Sequence, residues 1–563
     1  HAVPKCERYL PSMAHHRGQR KRSDDKRFAW ADEAVDAACG WREGAREHGA
    51  FVVNMASTGC GKTLANARIL YALADPQIGL RLSYALGLRT LTQQTGRSYR
   101  EDLNLGDDEL AVLVGGSASR ALFKHYAAQA AATGSASTQA LIEEDSHVLY
   151  EGNVADHPLL SRALANPEIR KLLSAPMLVC TVDHLAPATE SLRAGRQIAP
   201  MLRLMSSDLV LDELDDYDLD DLPALTRLVY WAGLLGSRVL LSSATLPPAL
   251  VVGMFLAYQA GRRHYRDNRG QVRTAQDAPV EVPCLWVDEF SAQPNTSASD
   301  TDFVKQHAVF VERRVSKLQS QEPLRRAELL AVAIDAQLPD AYFHAAFATQ
   351  VREACLRLHD DHGGTDPGTG KRVSFGIVRM ANIEPIFAVA QALIGLAMSA
   401  DTRLHLCVYH ARFPLLQRSA IEAMLDISFN RRSADAVWRL PDVRRALDAH
   451  AEQNHLFVVL ASPVCEVGRD WDADWALAEP SSMRALVQLA GRVQRHRRQS
   501  PQTPNLLVFD SNIKGIRHGS GRDAVFTRPG FESKRDERFL LRNHSLSKLL
   551  DKAEYQNLTA IPR

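Results

Sequence analysis

The chain has 563 residues, which on length alone allows about three or four domains. Apolar residues make up 45% and charged residues 24%, the balance of a globular protein with buried cores, which excludes a disordered or fibrous chain. With 67 Lys and Arg against 66 Asp and Glu the formal net charge is +1. That excludes a polycation that coats nucleic acid and leaves two classes equally open, a motor gripping a strand along one groove and a metabolic enzyme.

Residues 1–30 are polar and basic, with Arg17, Arg20, Lys21, Arg22, Lys26 and Arg27 close together, and read as a linker from an upstream domain. They contain no apolar run of the secretory type, and the chain reads as a piece of a longer one. The eight cysteines form no CxxC pair, which fits a reducing cytosol and argues against a zinc ribbon. Ala31 to Gly49 has helical apolar spacing. Phe51-Val52-Val53 then predicts a short buried strand, followed by a Gly-rich turn and a helix from Leu64 to Ala74. Further strands are predicted at Leu82–Leu86, Ala111–Val114, Met177–Cys180, Leu209–Leu211 and Val239–Leu241, so that a first lobe spans 31–260. Val239 to Ala260 lacks charge, but Ser242, Ser243, Thr245 and Pro247-Pro248 break it into a strand, a turn and a helix rather than a membrane span.

Residues 261–325 lose the alternation. Arg262 to Asp277 is highly charged and Ser291 to Asp302 is polar and expected to be mobile, so the region reads as an insert and connector. Strands return at Gly376–Val378, Leu404–Val408, Leu456–Leu460, Trp475–Ala478 and Leu506–Phe509, a second lobe over 326–515. Residues 516–563 read as a C-terminal extension or the start of a further domain. Short apolar strands separated by helices mean parallel sheets covered on both faces, so the predicted class is α/β.

Ala56-Ser57-Thr58-Gly59-Cys60-Gly61-Lys62-Thr63 stands between strand and helix, the context a phosphate loop requires. Its backbone N–H groups and the helix N-terminus suit phosphate oxygens, Lys62 reaches the β- and γ-phosphates of ATP, and Thr63 offers a hydroxyl to Mg²⁺. Asp212-Glu213-Leu214-Asp215 ends a later strand: Asp212 is placed to hold Mg²⁺ opposite Thr63, and Glu213 to activate the attacking water. Ser243-Ala244-Thr245 ends the next strand, where small hydroxyls can hydrogen-bond the Asp212 strand. In the second lobe Ser462 precedes Gly468-Arg469-Asp470, and Gln488–Arg498 carries Arg492 and Arg495 three apart, on one face if the segment is helical. Such arginines stabilise transition-state charge, whereas Arg497 and Arg498 read as solvated surface.

As an ordered set, these segments resemble the superfamily 2 helicases over residues 28–510. The resemblance implies two tandem RecA-like lobes with ATP in the cleft between them and a single strand across both. It implies strand contacts at Arg89 and Thr90 within Leu88–Leu91, at Thr181 within Thr181-Val182-Asp183, and at Ser462. Gly468, Asp470 and Gln488 join Ala56, Thr58, Gly59, Gly61, Lys62 and Thr63 in binding and coupling to nucleotide. Narrower features are the DELD box, Tyr409-His410-Ala411-Arg412-Phe413-Pro414-Leu415 with Arg418, the SPVCEVGRD run ending at Asp470, and Ser83–Gln94. These are similar to the CRISPR-associated helicase–nuclease family of type I systems, the last to its I-F subtype.

That family implies a cytoplasmic, ATP-dependent single-strand DNA translocase acting in CRISPR interference. Its implied partners are single-stranded DNA, an RNA-guided surveillance complex and the CRISPR adaptation integrase, with no membrane. Its HD nuclease, which takes a transition metal, precedes the helicase and is not assembled here: His359-Asp360-Asp361-His362 reads as a solvated Gly-rich loop, and His15-His16 as linker. Phe28-Ala29-Trp30 is followed by Ala31 where many helicases place an adenine-reading Gln. Competing readings are a repair or RNA helicase of the same superfamily and a nucleotide-dependent binding platform with incidental ATPase.

Overall fold

A computed structural model of the chain describes residues 10–114 except 24, 88 and 107; 167–269 except 191–193, 215–216 and 218–220; and 280–561 except 434, 467–468, 519–522, 528–529, 531 and 533–536. It divides into two compact units, one running to Gln319 and one spanning Ser320–Ala560.

In the first unit, Phe51–Asn54 (β1), Leu82–Leu86 (β2), Leu110–Leu113 (β3), Met177–Thr181 (β4), Asp208–Asp212 (β5), Val239–Ser242 (β6), Val282–Asp288 (β7) and Ser291–Ser297 (β8) form one sheet among the described residues. Its order is β3-β4-β2-β5-β6-β1-β7-β8, parallel throughout except for the β7–β8 hairpin. Successive residues of each central strand enter opposite cores: Val52, Tyr84, Val210 and Leu240 pack on one face, and Phe51, Val53, Leu211 and Leu241 on the other. Burial on both faces explains why these strands read as unbroken apolar runs. The uncharged run from Val239 resolves into β6 and helix Pro248–Arg269, and no described helix is long and apolar enough to cross a membrane.

In the second unit, Ala327–Leu330 (β9), Gly364–Thr365 (β10), Arg372–Arg379 (β11), Thr402–Tyr409 (β12), Asn454–Ala461 (β13), Trp475–Ala478 (β14) and Leu506–Phe509 (β15) form the second sheet. The order is β12-β13-β11-β14-β15-β9, all parallel, with β10 antiparallel on β11. Both units are thus the α/β lobes that the alternation predicts.

The periphery differs from expectation. The region read as insert and connector supplies β7, which is fully buried and pairs with β1, then β8 and helix Asp300–Gln319. Ser291–Ser297 escaped notice because an edge strand with one open side needs no apolar run and tolerates Pro294. Residues 10–30 are more than a linker. Met13 bridges Leu80, and Trp30 donates to the Cys60 carbonyl at 3.1 Å. His359 lies on helix Asp340–His362 rather than in a loop, 1% exposed, 2.8 Å from Ser374 Oγ. Downstream of 516, Leu546 and Leu558 enter the second unit's core and Asn557 bridges Arg326.

Candidate active site

Strands β5, β6 and β1 are consecutive in the sheet, and their register sets Asp212, Ser242 and Asn54 side by side. The phosphate loop, the acidic box and Ser243-Ala244-Thr245 therefore leave one edge together. It is the carboxyl edge, where open parallel sheets bind ligands.

Gly59 and Gly61 take left-handed φ values of 87° and 81°, which lets the loop close tightly before helix Lys62–Leu73. Lys62 is 8% exposed, with Nζ 3.9 Å from Glu213 Oε1. Asp212 is 5% exposed; its Oδ2 accepts from the Tyr84 hydroxyl at 2.7 Å, while its buried Oδ1 has no hydrogen-bond partner among the described residues. Glu213 holds φ at 49°, a left-handed conformation that costs a residue with Cβ on the order of 1 kcal/mol. It is kept there by its N–H on the Ser242 carbonyl at 2.8 Å and by the Ser243 hydroxyl, which donates to its carboxylate at 3.1 Å. The Thr63 carbonyl accepts from Tyr99 at 2.7 Å. An orphaned carboxylate oxygen near a loop that ends in a threonine hydroxyl is a hard-oxygen donor set, and it fits Mg²⁺.

Sequence reasoning missed two supports of this site. Hydrogen bonds run one way from the Ala56 N–H to Asn54 Oδ1 (3.1 Å), Asn54 Nδ2 to Asn66 Oδ1 (2.7 Å), Asn66 Nδ2 to Tyr84 Oη (3.1 Å) and Tyr84 to Asp212. Burial and the neighbouring Asp212 charge push the Tyr84 hydroxyl far above its usual range, so it stays a donor. The second support is Glu289, in the β7–β8 turn, which accepts from the Ser57 N–H at 3.0 Å and from the Ser57 hydroxyl. Fully buried Arg314 then binds Glu289 at 2.7 Å and Ser57 Oγ at 3.0 Å. Although burial opposes it, Arg314 and Ser57 hold the Glu289 carboxyl below its ordinary range. No local pattern marks either set.

Of the implied strand contacts, Arg89 and Thr90 open helix Arg89–Asp102, and Thr181 closes β4. Thr181 and Ser462 are each 2% exposed, so in this conformation their side chains lie behind the surface; the burial follows from their places at the ends of packed strands. The side chains of Arg89 and Thr90, and Leu88, Asp215 and Gly468 entirely, lie outside the described residues.

In the second unit the helix carrying Gln488 is Met483–Ala490 and ends at Gly491. Arg492 and Arg495 are therefore not on a helix face. The chain turns into a bridge in which Arg492 O and the Gln494 N–H pair with Ala473. Arg492, 6% exposed, donates to the Glu466 carbonyl at 2.6 Å. Arg495 donates to Asp470 at 2.7 Å, and Arg432 and His496 join the same carboxylate. Against the upward push of burial, the hydrogen bond from His496 and the Arg495 and Arg432 guanidinium groups hold Asp470 far below the usual carboxylate range. Arg497 is not solvated surface: it binds Asp472 at 2.7 Å and Asp474 through its other nitrogen, both carboxylates buried. Asp470, Asp472 and Asp474 alternate with buried Trp471, Ala473 and Trp475, a two-residue period that was the available signal. Arg498 is exposed.

A family model described as CRISPR-associated nuclease/helicase Cas3, C-terminal, matches residues 372–498. The CRISPR-associated nuclease/helicase Cas3 subtype I-F/YPEST of Pseudomonas aeruginosa (strain UCBPP-PA14) is 51% identical over 563 residues, covering 100% of this chain and 51% of that protein. Over its whole length the chain is similar to CRISPR-associated nuclease/helicases. The Pectobacterium atrosepticum (strain SCRI 1043) protein of the same description is 46% identical, over 100% of this chain and 51% of its own length. The chain thus spans about half the length of the curated relatives it matches. Among solved structures, T. fusca Cas3-ADP superposes with a TM-score of 0.57 at 19% identity, over 88% of this chain and 48% of that one, a likeness of fold.

Tyr409, at the end of β12, anchors the segment around Asp470 in the second unit. Tyr409 donates to Glu422 at 2.7 Å, and Arg469 reaches Tyr409 Oη at 2.8 Å and Glu422 at 2.6 Å. Trp471 donates to Asp426 at 2.7 Å. The chain just before Asp470 is thereby fixed to the end of β12 and to helix Leu415–Ser428.

Proposed function

We propose that the chain is the ATP-driven motor of a CRISPR-associated helicase–nuclease, a single-strand DNA translocase acting in CRISPR interference in the cytoplasm. The observation that carries this reading is the meeting of Lys62, Glu213 and the orphaned Asp212 Oδ1 at one sheet edge, in a chain similar to this family. Ala56, Thr58, Gly59, Gly61 and Lys62 would cradle the phosphates, and Glu213 would take the proton of the attacking water as the bond to the γ-phosphoryl breaks. Thr63 and Asp212 would hold Mg²⁺, which when bound neutralises charge developing on the phosphate oxygens. Arg492 and Arg495 are the proposed second-lobe contributors to the γ-phosphate, with Gly468, Asp470 and Gln488 coupling nucleotide state to the strand. Arg89, Thr90, Thr181 and Ser462 mark the proposed strand path. An RNA-guided surveillance complex would deliver the DNA, the adaptation integrase is a further proposed partner, and a nuclease with a transition metal would act from the family's other half.

Turnover is expected to rise strongly with single-stranded DNA and the stimulation to fall steeply with salt, because the strand is held by its phosphates. ATPase assays over a salt series with single-stranded DNA, RNA and heparin check this. Equal stimulation by heparin points to the binding platform, and preference for RNA to an RNA helicase.

Incubation of this chain with Mn²⁺, Ni²⁺ or Co²⁺ is expected to leave DNA uncut. The His359 ring nitrogens already face Ser374 and Asn454, and His362 pairs with the Pro504 carbonyl at 2.9 Å. Metal-dependent cutting abolished by His359→Ala would place a nuclease there.

A further inference from the structure

We infer that Tyr84 is a positioning residue for the metal-binding carboxylate: it fixes Asp212 so that Oδ1, and not Oδ2, faces the phosphate loop. The inference rests on the motor reading of the site. Three observations carry it.

First, the two oxygens of Asp212 are unequal. Oδ2 accepts from Tyr84 at 2.7 Å, and Oδ1 is buried without a partner among the described residues. A carboxylate with no fixed donor can turn about χ2 and present either oxygen. One buried donor on one oxygen removes that freedom and leaves the other lone pairs for a ligand.

Second, the direction of the donation is settled from the far end of the chain of hydrogen bonds. A backbone N–H can only donate, so Asn54 must turn its Oδ1 to Ala56 and its Nδ2 to Asn66. Asn66 must then offer Nδ2 to Tyr84, and the phenol has only its own proton left, which goes to Asp212. Asn54, Asn66 and Tyr84 each accept one bond and donate the next, so the members reinforce one another.

Third, the series begins on the phosphate loop. Ala56 is the loop's first residue, and Asn66 sits one turn into helix Lys62–Leu73. Asn54, Asn66 and Tyr84 are all fully buried. The loop is therefore joined to Asp212 through buried side chains. The edge of Tyr99 against the Tyr84 ring, 5.5 Å between centroids at 78°, fixes the phenol's plane.

Tyr84→Phe keeps the ring and removes only the hydroxyl, so it tests the inference directly. Binding of a fluorescent ADP is measured on the full chain, first in EDTA and then against increasing Mg²⁺. In the variant the half-saturating Mg²⁺ concentration is expected to rise by about tenfold or more, the usual effect of losing a residue that orients a metal ligand. Affinity in EDTA is expected to match the parent, which shows that the loop is folded. A half-saturating concentration within about twofold of the parent's overturns the inference, as does an equal loss of affinity with and without Mg²⁺, which means a merely structural role. If the parent itself shows no Mg²⁺-dependent binding, the motor reading fails and this inference with it. If the parent shows it and the variant matches, only the inference fails.

Discussion

Lys62→Ala is expected to abolish ATP turnover while leaving the fold in place. The ammonium is buried 3.9 Å from Glu213 and makes no hydrogen bond among the described residues. A buried cation so weakly paired contributes little to stability, and its removal leaves Glu213 still bound by Ser243 and only partly buried. The chemistry loses more: removal of a charge aimed at developing phosphate charge costs roughly a hundred- to a thousandfold in rate. Asp212→Asn is expected to behave alike, since the amide oxygen still accepts from Tyr84 while the metal-facing oxygen becomes an NH₂. Glu213→Gln separates the roles. It keeps the strained backbone and the Ser243 contact, so nucleotide binding is expected to survive while hydrolysis falls by roughly two to four orders of magnitude. ATPase rates, nucleotide affinities and melting curves of the three variants check this together. Loss of binding in Glu213→Gln as severe as in Lys62→Ala would remove the base assignment.

Substitutions at three neighbouring arginines are expected to have three different outcomes. Arg495→Ala should lower single-turnover hydrolysis by roughly a thousandfold with DNA saturating, as expected for an arginine that meets the γ-phosphate, and should leave ATP and DNA binding near the parent's. Arg495→Lys should not rescue it, because an ammonium lacks the planar fork. Arg497→Ala should instead unfold the second unit easily. It removes the guanidinium from Asp472, which is 0% exposed and keeps only the backbone N–H donors of residues 496 and 497 among the described residues, and from Asp474, which is 4% exposed and keeps Arg431 at 3.5 Å and the Phe375 N–H. Breaking such a pair costs about 3–5 kcal/mol. Arg498→Ala should stay within about 0.5 kcal/mol, as for most surface positions. Urea melts beside single-turnover rates discriminate the three. A stable, fully active Arg497→Ala would sink the buried-pair argument, and a fully active Arg495→Ala would remove the second lobe from the chemistry.

The sequence by itself determined the α/β class and where the central strands lie along the chain, whereas their order in each sheet came from the tertiary structure. Phe51–Val53, Leu209–Leu211, Val239–Leu241 and Leu456–Leu460 are buried on both faces, so burial wrote itself into them as continuous apolar runs. It also singled out Ala56–Thr63 as a candidate phosphate loop, because a strand, a tight turn and a helix start form a local code, and Asp212-Glu213 and Ser243 by their places at strand ends. Only the tertiary structure decided what holds those residues. Ser57 meets Glu289 and Arg314 across 232 and 257 positions, and Tyr84 meets Asp212 across 128. Pairings of that span leave no period in the sequence, and the polar residues that make them look like any others. The same holds for Arg497, which a local reading gives to solvent beside Arg498. The fold brings Asp472 and Asp474 of the preceding bridge segment beneath it, and two buried carboxylates in a medium of low polarity require a cation.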